Sequence, residues 1–361
     1  GTAALTALSG SNCTAIGYNA LNVNTGAQNT AVGSGALDAN TSGTPNVAIG
    51  YNALGTNISG GNNVAVGGSA GLAVLTGNNV AVGTSALAAA SGADCTAVGY
   101  QALFFNTATQ STAVGSQALT TNTSGTANTA VGYQSLNLNQ TGTANTAVGL
   151  QSLLNNIGNN NTAVGASALL GNTSAANNTA VGKAAMQLNS TGADCVAIGY
   201  NALNVSTASS NTAVGSGALD ANTSGTPNTA VGFNAVGTNV SGSNNTAVGA
   251  NAGALLINSG NTAVGTNALA AVSGGNCTAV GHNALQSNTA ANNTAVGTGA
   301  IANGVSGTDT TAIGYNALLV NTASFNTAVG SVALDANTSG NQNVSVGYNS
   351  MGTNIAGNDC V

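Results

Sequence analysis

Apolar and polar positions alternate along this chain in a short phrase that keeps returning. Residues 29–37 read NTAVGSGAL, and close variants recur as NVAIGYNAL at 46–54, STAVGSQAL at 111–119 and NTAVGTNAL at 261–269. The segment before each glycine is a run of Thr or Val, then Ala, then Val or Ile, bounded by Asn and Gly. Short β-branched runs between turn-forming residues predict strands. The glycine of the phrase occurs 21 times, from Gly17 to Gly347, at steps of 16 or 17 residues. A fixed period without a break predicts a stacked repeat architecture and not a set of separate domains. The expected fold is all-β: one continuous parallel β-solenoid over residues 1–361, with about 21–22 rungs of 16–17 residues.

Counting from the glycine as position zero gives each slot an expected role. Position −1 is always Val or Ile, −2 is Ala except at Ser345, and −3 is Thr in 16 copies and Val in five. Strand side chains alternate in direction, so −3 and −1 share a face. Thr and Val have similar shapes, which places −3 and −1 on the packed inner face in this reading. Position +4 is Leu in 15 copies. The expected core is therefore Val32, Leu37, Ile49, Leu54, Val114, Leu119, Val214 and Leu219. Gly at zero marks a bend between two short strands, where a residue without Cβ fits. The copies at Gly67 and Gly249 carry Gly at +4 and shift the Leu.

Two Asn rows accompany the apolar ones, at −4 and at +7, each Asn in 15 copies. Stacked Asn side chains can form copy-to-copy ladders, and Asn also serves at corners. Asn40-Thr41-Ser42 matches a glycosylation acceptor as well, but the regular rows favour the ladder. Longer order exists too. Gly17 and Gly199, Gly33 and Gly215, and Gly99 and Gly281 are each 182 residues apart, a super-repeat of 11 rungs. Gly1 already occupies position zero, and Asp359-Cys360-Val361 begin another copy. Neither end has a polar capping repeat, so a segment of a longer array or an end-to-end subunit is expected.

Composition narrows the function classes. Only 2% of residues are charged, with one Lys, no Arg, no Glu and a net charge of −6. Phosphate recognition needs Lys and Arg, so no nucleic-acid partner is expected. No stretch of 18 apolar residues exists, so no membrane insertion is expected in this segment. His282 has no Glu anywhere and no Asp in a matching slot nearby. No catalytic residue, metal or cofactor is expected. The seven Asp are too sparse for a calcium-binding nonapeptide roll.

The variable slots carry the remaining chemistry. All seven Tyr (Tyr18, Tyr51, Tyr100, Tyr133, Tyr200, Tyr315, Tyr348) stand at +1, as do Phe233, Lys183 and His282. This row reads as a chain–chain seam, as exposed decoration or as a ligand-binding stripe. Cys13, Cys95, Cys195, Cys277 and Cys360 all replace the Asn at −4. They are at least five rungs apart, about 24 Å along a stack, whereas a disulfide needs Cα atoms within about 7 Å. They cannot pair within the chain. Buried thiols filling Asn slots, or bridges to a neighbouring chain, remain.

The phrase T/V-A-V/I-G-x-x-A/S-L resembles the head repeats of trimeric autotransporter adhesins, and it is similar to the NTAVG repeats of phage tail-fibre-like proteins. The resemblance implies a left-handed parallel β-roll, association into a trimer or filament, and a place on a cell or virion surface. The expected role is a structural extracellular fibre, stalk or adhesin shaft. Its partners would be copies of itself and host or cell-surface ligands. The rival reading is an ice-binding or other surface-binding solenoid, which needs Thr rows facing outward.

Overall fold

The computed structural model describes residue 4 and residues 10–90, 92–271, 274–304 and 306–361. The half-copy expected at Gly1–Leu5 lies outside these, apart from Ala4. The chain is all-β. Twenty-one strands, from β1 (Thr14–Ile16) to β21 (Val344–Val346), stack in parallel as a β-solenoid, with no helix among the described residues. Two compact units divide it, Gly1–Ala180 and Val181–Val361, each close to the super-repeat in length. Within the first unit the strands pair consecutively through β10 (Thr162–Val164). Within the second they do so from β12 (Val196–Ile198) onward.

Pairing follows the repeat residue for residue. Thr30, Ala31 and Val32 oppose Val47, Ala48 and Ile49. β14 (Asn228–Val231) and β15 (Asn245–Val248) match over four residues, Asn on Asn and Ala on Ala. Rungs of 16 and 17 residues thus differ only in the return path.

Position zero behaves as the sequence indicates. Its φ lies between +127° and +140° in every copy, a region that side chains strongly disfavour. A Cβ there would also collide with the backbone carbonyl of the glycine one rung on, as at Gly33 against Gly50 and Gly215 against Gly232. Strand pairing ends at this point.

The rest of the rung departs from the two-strand expectation. Among the described residues each rung has one strand, followed by an arm of tight turns. Residue +2 and the Leu at +4 both take left-handed conformations, as at Asn52 (φ 53°) and Leu54 (φ 50°). The N–H of Ala36 donates to the carbonyl of Gly33 (3.3 Å), and that of Asn40 to Leu37 (3.2 Å). These turns coil the arm, while rung-to-rung bonds such as Leu37 N–H to Ala53 carbonyl (3.0 Å) tie it to its neighbour. A left-handed conformation costs a side-chain-bearing residue about 1–2 kcal/mol. Full burial of a Leu returns about 1.5–3 kcal/mol.

The faces of the strand are inverted relative to the sequence reading. Ala at −2 is fully buried in nearly every rung, for example Ala31, Ala48 and Ala213. Val and Ile at −1 face outward: Ile49 is 40% and Val114 37% exposed, and Val32 and Val214 are half-exposed. Of the expected core, Leu37, Leu54, Leu119 and Leu219 are buried, and the four strand residues are not. The physical reason is width. The turn arm packs so close against the strand that only a methyl fits between them. The core is therefore Ala from the strand, Ala and Leu from the arm, and two rows of Asn.

The two rungs with Gly at +4 show how tightly this volume is conserved. Gly71 and Gly253 leave a Leu-sized gap, and Val74 and Leu256, standing at +7 in place of Asn, are buried in it. A Cβ on Gly253 would lie 2.5 Å from Cδ1 of Leu256. The Leu/Asn pair of ordinary rungs is thus exchanged for a Gly/aliphatic pair. Gly253→Leu alone and Leu256→Asn alone should each destabilise the chain by about 2 kcal/mol or more. The double variant recreates an ordinary rung and should melt within a few degrees of the unmodified chain by circular dichroism. Additive losses would contradict this packing.

Candidate functional surfaces

Three rows of side chains face outward, and two polar rows, both Asn, lie inside with the Ala and Leu of the core. Each strand turns Thr −3 and Val −1 outward, about 6.7 Å apart along the strand and about 4.8 Å from their equivalents on the next. In the second unit Val231, Val248, Val264, Val280 and Val296 are each 37–40% exposed, an unbroken aliphatic row. Beside it runs the row of Thr229, Thr246, Thr262, Thr278 and Thr294. No charged residue stands in either row. Sequence reasoning placed this face inside. The signal that it lies outside is the slot between, which accepts only Ala or Ser.

The +1 row is on the surface, as expected for a seam, decoration or stripe. Tyr18, Tyr51, Tyr100, Tyr133, Tyr200, Tyr315, Tyr348 and Phe233 are 48–81% exposed. Lys183 and His282 are exposed as well. Neighbours in this row come within reach of each other: the Lys183 ammonium lies 6.0 Å from the centre of the Tyr200 ring one rung on. That is the outer limit of a cation–π contact. The +2 carboxamides beside the row form a ladder of their own where Gln follows Gln. Gln134 donates to Gln117 (2.9 Å) and Gln151 to Gln134 (3.0 Å).

Inside, the −4 Asn row joins rung to rung. The Asn29 Oδ1 accepts from the Asn46 backbone N–H (2.8 Å), and Asn46 Oδ1 from that of Asn63 (3.0 Å). The Nδ2 groups donate to backbone carbonyls, Asn29 to Gly43 and Asn46 to Gly60, both 2.9 Å. In the +7 row the side chains bond each other, as in Asn122 Nδ2 to Asn106 Oδ1 (2.7 Å) and Asn139 to Asn122 (3.1 Å). Buried amides cost little when paired in this way. Asn40 is one of these fully buried residues, so its carboxamide serves the ladder and offers no accessible glycosylation site.

The Cys residues take over the same bonds. Cys95 N–H donates to Asn79 Oδ1 (3.0 Å), and the thiol donates to the Ala108 carbonyl (3.5 Å). The Cys95 sulfur in turn accepts from Asn106 Nδ2 (3.3 Å). Cys195 and Cys277 are placed alike, with thiols 3.3 Å from the carbonyls of Ala208 and Ala290. All five are free. Cys95, Cys195 and Cys277 are 0–1% exposed, so a bridge from them to another chain would require opening the rung. Only Cys13 and Cys360 are half-exposed.

One open notch of about 290 Å³ lies in the second unit, where Gly237 and Ala254 leave space between Asp220 and Leu255. Burial there pushes the Asp220 carboxyl above its usual value. Asn234, Thr238 and Asn251 complete the lining, with no second ionisable group.

Neither a protein-family model nor a curated protein matches the chain.

Burial raises the thiol pKa of Cys95, Cys195 and Cys277 above the ordinary value, against weaker lowering by backbone N–H groups. A raised pKa means less thiolate at any given pH below it. In the native chain at pH 8, iodoacetamide should label Cys13 and Cys360 well before these three, read by peptide mass spectrometry. Equal labelling of all five would contradict the inward placement.

Proposed function

We propose that this chain is a structural β-solenoid shaft, extracellular and of adhesin or tail-fibre type, that associates with copies of itself through its Thr/Val face. One observation carries the reading. The face turns an aliphatic side chain to solvent on every rung of each unit and bears no charge that would keep a like surface away. Large contiguous apolar faces on soluble proteins mark contact sites. A second copy matches this face in rung spacing and in polarity, which a partner with an ordinary charged surface does not. The parallel ladder supplies stiffness, and repetition makes each weak contact multivalent. No step of this role requires a catalytic group or a cofactor. With Lys183 as the only Lys or Arg, trypsin finds one cleavage site in the sequence, which suits an exposed fibre.

The outward Thr row favours a second reading. Regular hydroxyls and methyls on a flat sheet also suit binding to ice or another ordered solid. The inward Thr expected from sequence would have opposed that, and the structure removes the objection.

One set of variants separates the two. Val214→Lys, Val231→Lys and Val248→Lys together place three charges on the face without touching the core. Sedimentation should show oligomers for the unmodified chain and monomers for this variant, with unchanged far-ultraviolet circular dichroism. A chain that is monomeric before substitution but inhibits ice recrystallisation, and loses that inhibition with the variant, would move the assignment to ice binding.

A further inference from the structure

The +1 row carries a second period that the scaffold does not need. Tyr18, Ser34 and Tyr51 occupy three successive rungs, as do Tyr200, Ser216 and Phe233, and His282, Thr298 and Tyr315. The +2 residues alternate in step: Asn19, Gly35, Asn52; Asn201, Gly217, Asn234; Asn283, Gly299, Asn316. Each triplet lies within one compact unit. The rings of Tyr18, Tyr51, Tyr200, Phe233 and Tyr315 are 53–64% exposed.

The middle rung is kept low by its backbone. Gly35, Gly217 and Gly299 have φ of 67–70°. A Cβ on any of them would collide with the Oδ1 of the following rung's Asn: Asn52, Asn234 and Asn316 respectively. Each carboxamide therefore lies over the middle rung, beside a small hydroxyl. An aromatic ring is wider than the about 4.8 Å between rungs. Rings on adjacent rungs must stand on edge and stack. Omitting the middle ring leaves each outer ring room to lie flat along the row with a face to solvent, the two rings about 9.6 Å apart.

We propose that these triplets bind an extended β-1,4-linked polysaccharide along the +1 row. In such a glycan the linkages are equatorial, so axial C–H groups form apolar faces on each sugar. Alternate sugars are turned over, and the same face recurs at every second unit, the repeat to which two rungs correspond. Aromatic faces are electron-rich and attract the positive edge of C–H bonds. The Asn carboxamides and the central Ser or Thr supply donors and acceptors for the ring hydroxyls. The row is separate from the Thr/Val face, so this proposal does not depend on self-association.

The test titrates the full chain by calorimetry with cellohexaose, chitohexaose and, as the α-linked control, maltohexaose. One variant set removes rings (Tyr18→Ala, Tyr51→Ala, Tyr200→Ala, Phe233→Ala, Tyr315→Ala). The other fills the gaps (Ser34→Tyr, Ser216→Tyr, Thr298→Tyr). The expected result is saturable binding of a β-1,4 hexaose and none of maltohexaose, weakened about tenfold or more in both sets. General aromatic stickiness predicts that the filled set binds more tightly. That outcome would overturn the proposal. Equal binding of maltohexaose, or no binding of either β-1,4 hexaose at millimolar concentration, would overturn it too. If the filled set fails to fold, the ring-removal set, which touches only exposed side chains, decides.

Discussion

Every other feature of this solenoid depends on one close approach. Within each unit the backbone at position zero lies against the glycine carbonyl of the following rung, with φ of +127° to +140° and no room for a Cβ, as at Gly33 against Gly50 and Gly215 against Gly232. That contact fixes the register, because a slip of one residue would press a side chain into a neighbouring backbone. It also ends the strand and turns the chain into its arm at the same height in each rung. Within each unit the rows of Leu, Asn and +1 residues keep their register because their common origin is pinned.

The core that results is narrow, and its economy explains the composition. A slot one methyl deep admits Ala at −2 and little else. Leu at +4 is the one large side chain per rung, held in a left-handed conformation by its own burial. Two rows of Asn replace the further aliphatic layers of a wider coil, joined by their own hydrogen bonds. Cys fits the same slot because its sulfur can both give and accept a weak hydrogen bond. Because the inside is held by ladders, the outside is free of structural duty, and few charges are needed anywhere.

Much of this was legible before any coordinate. The period, the parallel stack, the glycine bend and the buried Leu and Asn rows follow from identity at fixed spacing. Two features were not. The alternation of strand residues gives two faces but not which is inner. β-Branched Thr and Val suit a strand on either side, so their exchange at −3 carried no direction. The informative signal was the intolerance at −2, where only Ser345 departs from Ala. The second strand was absent because +2 and +4 turn left-handed, and Leu gives no local warning of that conformation. Among the surface rows, the exposed position of the Tyr residues was readable. The alternation of ring and gap became meaningful only once Gly35, Gly217 and Gly299 were seen to carry the next rung's carboxamide.

The central claim is the direction of the strand residues, since the proposed Thr/Val contact face and the thin core rest on it. Single cysteines at Thr229, Ala230 and Val231, in a chain whose five native Cys are replaced by Asn, measure it directly. Maleimide labelling of the native protein should be fast at 229 and 231 and slow at 230. Fast labelling at 230 with protection at 229 and 231 would contradict the account.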